Sequence, residues 1–163
     1  MDSPPLALRF RPFERADLAL LGAWLVQTGL SVPALAPEQL ARRLMEDPAI
    51  LCLAACDATD GPVGFMRLDL SPDRAAEVTL IVSPSMFRRG IGRRMLEHGI
   101  ALAREHGWHR LWALIRTENL PAQSLFERAG FEEAANPLHG YVHLVRLVHR
   151  RPSGMVAPLE IAP

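Results

Sequence analysis

The sequence predicts a single mixed α/β domain, and three observations predict it. The chain has 163 residues, of which 49% are hydrophobic, enough for one domain with a full core. Apolar runs of strand length are interspersed with segments of helical period. In the middle of the chain, the runs 49–56 and 62–70 flank the turn cluster 57–61 and predict a hairpin. The order of elements is therefore not a regular βαβ repeat.

The chain begins with one predicted strand and two predicted helices. Residues 6–13 alternate apolar and basic side chains, which predicts the strand. Segments 14–28 and 37–47 carry apolar residues at helical spacing. Pro37 suits the first turn of the second helix, and Pro48 stops it.

After the hairpin, three further strands and two further helices are predicted. The strands are 75–82, 108–116 and 140–150. One helix runs from Ile91 to Gly107, which is placed to end it in the left-handed conformation, and the other covers 119–130. We expect one domain over residues 1–150, followed by a Pro-rich tail over 151–163.

Charge and hydropathy exclude several classes of function. Eighteen basic and eighteen acidic side chains give a pI near 7.0, so neither a nucleic-acid partner nor an anionic membrane is expected. Arg9 and Arg11 interrupt the first apolar stretch, which leaves no run long enough for a signal peptide or a membrane span. A cytoplasmic location is therefore expected.

Cysteines and tryptophans are interpreted as packing residues. Cys52 and Cys56 lie in an apolar run without a nearby His or Cys cluster, so two buried hydrophobic residues are expected rather than a disulfide or a metal site. Trp108 and Trp112 are predicted to share the core face of one strand. Trp24, on the first helix, is also predicted to be core.

A glycine- and arginine-rich stretch, "FRRGIGRRML" at 87–96, directly follows a predicted strand and opens a helix. Glycines leave the unpaired N–H groups of a helix start accessible to a phosphate, and arginines add charge-assisted contacts. The stretch lacks the GxxxxGK[ST] motif of a P-loop, and Met95 occupies the position where a Rossmann fingerprint needs its third glycine. A pyrophosphate site is predicted, and a solvated arginine face on an ordinary helix is the alternative.

Two motifs together resemble the GNAT superfamily of acetyl-CoA-dependent N-acyltransferases. The first is the strand, glycine turn and helix over 78–100, although Phe87 replaces the family's Gln or Arg. The second is "NLPAQSLFERAGF", which matches the family's later motif at six positions: Asn119, Ala122, Leu125, Phe126, Gly130 and Phe131. Two motifs that occur in the family's order, about thirty residues apart, are a specific indication of this resemblance.

The resemblance implies a fold and a cosubstrate. The fold is the α/β (α+β) GNAT fold, a twisted mixed sheet of six to seven strands, splayed between its fourth and fifth strands and flanked by about four helices. Acetyl-CoA is expected as the acyl donor, without a metal. Its binding residues are expected in the fourth strand, the turn and the later helix: Leu80, Ile81, Val82, Arg88, Arg89, Gly90, Ile91, Gly92, Arg93, Asn119 and Phe126.

The resemblance also suggests catalytic residues. Glu77 lies where the family often has its general base, with a solvent-facing strand carboxylate as the alternative and Asp69 as a weaker candidate. The backbone N–H of Val82 is a candidate donor to the developing oxyanion. The family's usual acid, a Tyr, is replaced by Phe126, and Tyr141 is the candidate substitute. His139 and His143 stay open as bases or as structural residues.

These expectations favour an N-acetyltransferase that moves an acetyl group from acetyl-CoA to a small-molecule or peptide amine by direct attack in a ternary complex. The alternative is a CoA-binding sensor or interaction module with little activity, which Phe126 supports. A third hypothesis, a nucleotide- or nucleic-acid-binding protein, uses the arginine cluster alone. A homodimer through the edge of the last strand or the tail is possible on this sequence.

Overall fold

A computed structural model describes residues 7–28, 37–135 and 138–148, in which four α-helices flank one seven-stranded sheet. Residue 6 and the predicted tail at 151–163 lie outside the described residues. The strands are β1 (Arg9–Pro12), β2 (Ile50–Cys56), β3 (Pro62–Ser71), β4 (Ala75–Val82), β5 (Arg110–Arg116), β6 (Glu132–Glu133) and β7 (Tyr141–Leu147). The helices are α1 (Leu18–Gln27), α2 (Pro37–Glu46), α3 (Ile91–His106) and α4 (Leu120–Arg128).

The sheet has the order β1-β2-β3-β4-β5-β7-β6. Every neighbouring pair is antiparallel except β4 and β5, whose parallel pairing requires the crossover that α3 provides. The predicted mixed sheet is thus confirmed. The last strand is not simply an edge strand, because β6 pairs with β7 at Leu144 and Val145. A dimer through that part of the last strand is therefore not available.

The sheet splits between its fourth and fifth strands. β4 and β5 pair at only three positions, and the last of these joins Glu77 to Trp112. Beyond it, β4 continues to Val82 and β5 to Arg116 without pairing with each other. The predicted splay is confirmed, and it opens toward the end of the sheet where α3 and α4 begin.

Helix α3 covers one face of the sheet. Its buried residues Met95 and Leu96 belong to the larger core cluster, together with inward-facing residues of β3, β4, β5 and β7. Gly64 on β3 permits this packing, because a Cβ there would lie 2.5 Å from the Met95 sulfur. Gly107 ends α3 with φ 69°, as predicted.

Helices α1 and α2 cover the opposite face, but only its β2–β4 half. Trp24 of α1 is buried against Phe65 of β3 in a second core cluster, which confirms its predicted core position. Cys52 and Cys56 are buried free thiols in the same cluster, also as predicted. On the β5–β7 half of this face, large side chains such as Leu114 stay exposed.

The prediction that Trp108 and Trp112 share the core face of one strand was wrong. Trp108 precedes β5, which begins at Arg110. Only Trp108 packs against the larger core cluster. Trp112 alternates with the buried Leu111 and Ala113 and therefore projects from the opposite face, where it is half-buried.

An ion pair fixes α1 to the edge of the sheet. Both guanidinium Nη atoms of Arg11, on β1, donate to the two carboxylate oxygens of Asp17, at 2.8 and 2.9 Å. The Glu14 amide donates to the same carboxylate at 2.8 Å, and Asp17 is only 5% exposed. The start of α1 is thereby held in one position relative to the sheet.

Across 7–28, 37–135 and 138–148, none of the helices combines the length and the apolar character that crossing a membrane requires.

Candidate functional site

The turn before α3 presents free backbone amides. Arg88 and Gly90 have φ values of 63° and 77°, so the backbone turns sharply twice before the helix begins at Ile91. The first backbone hydrogen bond of the helix runs from the Arg94 N–H to the Gly90 carbonyl. Within the described part of the chain, the N–H groups of residues 90–93 have no hydrogen-bond acceptor, so they are available to an anion.

Arginine side chains around this turn are exposed. Arg93 donates through Nε to Glu97 at 2.8 Å, one turn along α3. Arg89 contacts the Met86 sulfur at 3.1 Å. Among the described residues, Arg88 makes no ion pair. A positive surface therefore surrounds the free amides, which suits a diphosphate group.

Gly92 brings the turn close to both α4 and the split. A Cβ at Gly92 would lie 3.1 Å from a methyl group of Leu125 and 3.7 Å from one of Val82. Even an alanine would press on this contact. The glycine turn therefore lies beside the end of β4, where the two halves of the sheet separate.

The backbone of β4 alternates between its two neighbours. Ser83 donates its N–H to Val63, on the β3 side, whereas the Arg74 carbonyl accepts from His109, on the β5 side. Since both polar groups of a residue point the same way and the direction alternates along a strand, Leu80 and Val82 point their N–H and C=O groups toward β5. β5 does not pair there, so these groups line the split. The backbone of Ile81, in contrast, points toward β3.

Asn119 and Phe126 are accounted for by local structure. The Asn119 side chain accepts a hydrogen bond from the Ala122 N–H at 3.3 Å, and so it caps the N-terminus of α4. Phe126 is 4% exposed and packs edge to face against Phe131, with ring centroids 5.0 Å apart. Their contact with a cosubstrate stays a prediction.

Glu77 lies in a small charged group on the sheet face that α1 and α2 partly cover. It is half-buried on β4, directly opposite Asp69 on β3. The Nε of Arg67 lies 2.6 Å from the Asp69 carboxylate. Burial raises the pKa of Glu77 above its ordinary value, and the negative charge of Asp69 raises it further, while Arg67 opposes the rise. A carboxyl group whose pKa is raised in this way suits a general base.

Tyr141 and Glu77 project from the same face but are not brought together. Tyr141 begins β7 opposite Arg116, at the open end of the split, whereas Glu77 pairs with Trp112 at its closed end. The β5 partners of these two residues are four positions apart, which is about 13 Å along the strand. His143 lies between them and packs against Trp112 with ring centroids 5.5 Å apart.

Sequence reasoning missed Trp112 and Arg67 as members of this region. Trp112 belongs to the alternating series Arg110, Trp112, Leu114, in which an arginine marks the outward face. That signal was present in the sequence. The role of Arg67 depends on its ion pair, which only the structure reveals.

No group of His, Cys, Asp and Glu side chains with the arrangement of a metal site occurs among the residues that the structure describes. The polar groups that the site does offer are hydrogen-bond donors from backbone N–H groups and arginines, and the acceptors of one carboxylate pair. Free helix-start amides beside a strand with unpaired polar groups fit an extended molecule that carries a diphosphate at one end.

A family model matches more than half of the chain. Residues 21–131 match the family model described as "Acetyltransferase (GNAT) family". This segment contains β2–β5, α3, α4 and the whole of the glycine turn.

Curated relatives match over shorter segments. A mycothiol acetyltransferase from Clavibacter sepedonicus is 36% identical over 89 residues, which is 55% of this chain and 29% of the relative. A [ribosomal protein bS18]-alanine N-acetyltransferase from Salmonella typhimurium is 36% identical over 77 residues, or 47% of this chain and 52% of the relative. The matched segments thus cover about a third to a half of these relatives.

Among solved structures, the spermidine N-acetyltransferase from Vibrio cholerae in complex with CoA and spermine superposes with a TM-score of 0.76. The alignment covers 86% of this chain and 95% of that one, at 21% sequence identity. At this identity the likeness concerns the fold.

Proposed function

The chain belongs to the acetyltransferase (GNAT) family, and we propose that it transfers the acetyl group of acetyl-CoA to an amine by direct attack within a ternary complex. The observation that carries the proposal is the combination of the free amides at residues 90–93 with the unpaired backbone groups of Leu80 and Val82. Together they form one continuous track, from an anion site to the interior of the split sheet.

Acetyl-CoA fits that track from end to end. Its pyrophosphate would accept hydrogen bonds from the amides at the start of α3, with Arg88 and Arg89 supplying charge. Its pantetheine arm would pair with the gap-facing backbone of Leu80 and Val82. Ile81 is then a neighbour of the site rather than a hydrogen-bonding partner, because its backbone points toward β3.

An amine must lose its proton before it attacks. For a lysine-like amine of pKa about 10.4, deprotonation at pH 7 costs about 4.6 kcal/mol. Glu77 is the proposed acceptor of that proton, directly or through water, and the raised pKa of its carboxyl group brings it closer to the working pH. The carboxylate must be ionised to act, so activity rises with pH through this group.

Stabilisation of the developing oxyanion requires a donor inside the split. The N–H of Val82 points there, and one such donor typically contributes ~2.7–4 kcal/mol. The departing thiolate has a reference pKa near 8.5 and leaves without a full proton transfer. The proposed donor of the proton that the thiolate takes up after it has left is Tyr141, which lies at the open end and is 42% exposed.

The alternative function, a CoA-binding module with little catalysis, is favoured by one specific observation. Phe126, at the position of the family's usual acid, has no hydroxyl group and is buried in the core. Tyr141 lies at the opposite end of the split from Glu77. A protein with this arrangement could bind the cosubstrate and transfer its acetyl group slowly.

A combined binding and turnover assay tests the proposal. Calorimetry with acetyl-CoA and with ATP measures binding, and thiol release is then followed across a panel of primary amines. We expect binding of acetyl-CoA in preference to ATP, and turnover with at least one amine. Preferential binding of ATP would instead support the nucleotide hypothesis, and CoA binding without any thiol release would support the module.

The variant Glu77→Gln separates catalysis from binding. We expect turnover to fall ~10²–10⁴-fold, the usual contribution of general acid–base catalysis, with acetyl-CoA affinity unchanged. Glu105→Gln, an exposed position on α3, is the matched control and should keep full activity. Equal activity of the two variants would remove Glu77 from the mechanism.

The identity of the acceptor, beyond a small-molecule or peptide amine, is part of the proposal. A homodimer and a cytoplasmic location stay predictions. Sedimentation velocity of the purified chain tests the first.

A further inference from the structure

We propose that Trp112, together with the carboxylates of Asp69 and Glu77, binds the acceptor amine as a cation, so that the acceptor class is that of positively charged amines. This inference rests on the proposed acetyl transfer, because it assigns the second substrate of the same site.

Trp112 lies beside Glu77 on the same face of the sheet. Trp112 and Glu77 are the last residues at which β4 and β5 pair. Neighbouring residues in a sheet register point to the same face, so both side chains project from the face opposite α3. They therefore stand side by side at the closed end of the split.

The residues around Trp112 leave part of its side chain accessible. Among the described residues, it packs against neither core cluster, although it is a large aromatic side chain in a central strand. Helix α2 packs on β2 and α1 on β4, and neither helix packs extensively on β5. His143 and Val145 of β7 flank the indole and leave it half-buried. An aromatic surface in this position is available to a ligand.

The charged side chains next to Trp112 favour a cation as the ligand. Asp69 and Glu77 face each other on this surface. Among the described residues, Arg67 is the cation that forms an ion pair with either of them, and its partner is Asp69. With both carboxylates ionised, the three groups sum to one negative charge. An ammonium group complements this charge and the face of an indole ring, whereas a carboxylate on the acceptor would be repelled.

Charged groups elsewhere on the face do not cancel this preference. Arg110 is paired with Asp73, and Arg116 lies beside Glu118 at the other end of β5. His143 is a titratable group that packs edge to face against the indole. The closed end of the split is therefore the part of this face where a cation is favoured.

A pair of matched ligands tests the charge requirement. Phenethylamine and 2-phenylethanol have the same shape, but only the first carries a positive charge at pH 7. With the full chain in the presence of CoA, we expect calorimetry to show tighter binding of phenethylamine. 1,5-Diaminopentane is the second cationic probe. Equal binding of the amine and the alcohol, or no measurable binding of either cationic probe, overturns the proposal.

A pair of matched variants tests the residue. We expect Trp112→Leu to weaken phenethylamine binding about tenfold, equivalent to ~1.4 kcal/mol, with CoA affinity unchanged. Trp112→Phe should retain most of the binding, since it keeps an aromatic face. Trp108→Leu removes a tryptophan on the core side and should leave the binding of phenethylamine unchanged. If Trp112→Leu and Trp108→Leu give the same affinity, Trp112 is not part of the acceptor site.

These readouts distinguish failure of this inference from failure of the proposed function. Absence of thiol release with every amine contradicts acetyl transfer, yet the binding comparison between amine and alcohol still decides the role of Trp112. Turnover that persists with neutral and anionic amines as efficiently as with cations overturns the acceptor class and leaves the transfer reaction in place.

Discussion

Asp69 and Glu77 lie directly opposite each other on neighbouring strands, so that two carboxylates share one patch of the sheet surface. In the part of the chain that the structure describes, the ion-pair partner of Arg67 is Asp69, at 2.6 Å. Glu77 is left half-buried beside a like charge, and its pKa is raised by burial first and by Asp69 second. The pKa of Glu77 therefore depends on residues of β3 as well as on its own burial on β4.

The first prediction concerns the acidic limb of the pH profile of kcat/KM. Asp69→Asn removes a negative charge beside Glu77, so the pKa of Glu77 falls and the limb moves to lower pH. Arg67→Gln removes the opposing positive charge, so the limb moves to higher pH. Asp73→Asn, in an exposed ion pair with Arg110, is the control and should leave the limb in place. Shifts of the same sign in both test variants would contradict this account.

A second prediction concerns stability at the same site. A raised folded-state pKa means that protonated Glu77 favours folding, and that this contribution is lost as pH rises through the folded-state pKa. Glu77→Gln keeps a neutral group at every pH. We therefore expect the variant to exceed the wild type in free energy of unfolding at pH 8, and the difference to shrink as pH falls toward 4.5, the ordinary pKa of the group. Urea denaturation at several pH values measures it, and a variant less stable at pH 8 would count against the raised pKa.

The third prediction concerns the ion pair that holds α1. Burial alone would raise the pKa of Asp17, but hydrogen bonds from Arg11 and from the Glu14 amide outweigh it and lower the pKa. Asp17→Asn leaves the partly buried guanidinium of Arg11 without its charged partner, so we expect a loss of ~3 kcal/mol in the free energy of unfolding at pH 7.

The pH dependence of that loss has a definite sign. Because the folded-state pKa is depressed, the stabilisation is fully present above the ordinary pKa of 3.8 and disappears as pH falls through the folded-state value. Asp60→Asn breaks an exposed pair with Arg9 and serves as control, with an expected loss of at most ~1 kcal/mol. Equal losses in the two variants, measured by chemical denaturation, would show that burial does not matter here.

The fourth prediction concerns the turn before α3. We expect the double variant Arg88→Ala, Arg89→Ala to weaken CoA binding about tenfold or more and to reduce its dependence on salt concentration. Binding of pantetheine, which lacks the pyrophosphate, should be unchanged. Arg104→Ala, in the last turn of α3, is the matched control. Equal loss for CoA and pantetheine in calorimetry would indicate a damaged fold instead of a lost anion site.

Local sequence signals predicted much of this structure. Strand β4, the turn and α3 were predicted to within a residue or two, because a β-branched run, two glycines and a helical apolar period follow one another without interruption. Gly107 and Pro37 marked helix boundaries through their backbone preferences. The split followed from the family resemblance, since no local pattern encodes which strands part.

Other features depend on contacts between distant segments. Alternation along β5 separates two faces, but it does not tell which face a helix will cover, and Trp112 was therefore assigned to the core. The backbone directions of Ile81 and Val82 follow from the register of β4 with β3, which hydropathy does not specify. β6 has two residues and no apolar period, so no strand signal exists for it.

The split between β4 and β5 also gives the sheet an edge in its interior. An outer edge strand can be extended by a strand of another protein, and that is a route to aggregation. The polar backbone of Leu80 and Val82 lies instead within a wedge formed by the two halves of one sheet. This inner edge is flanked on both sides by strands of the same sheet, so a strand of another protein has less access to it than to an outer edge.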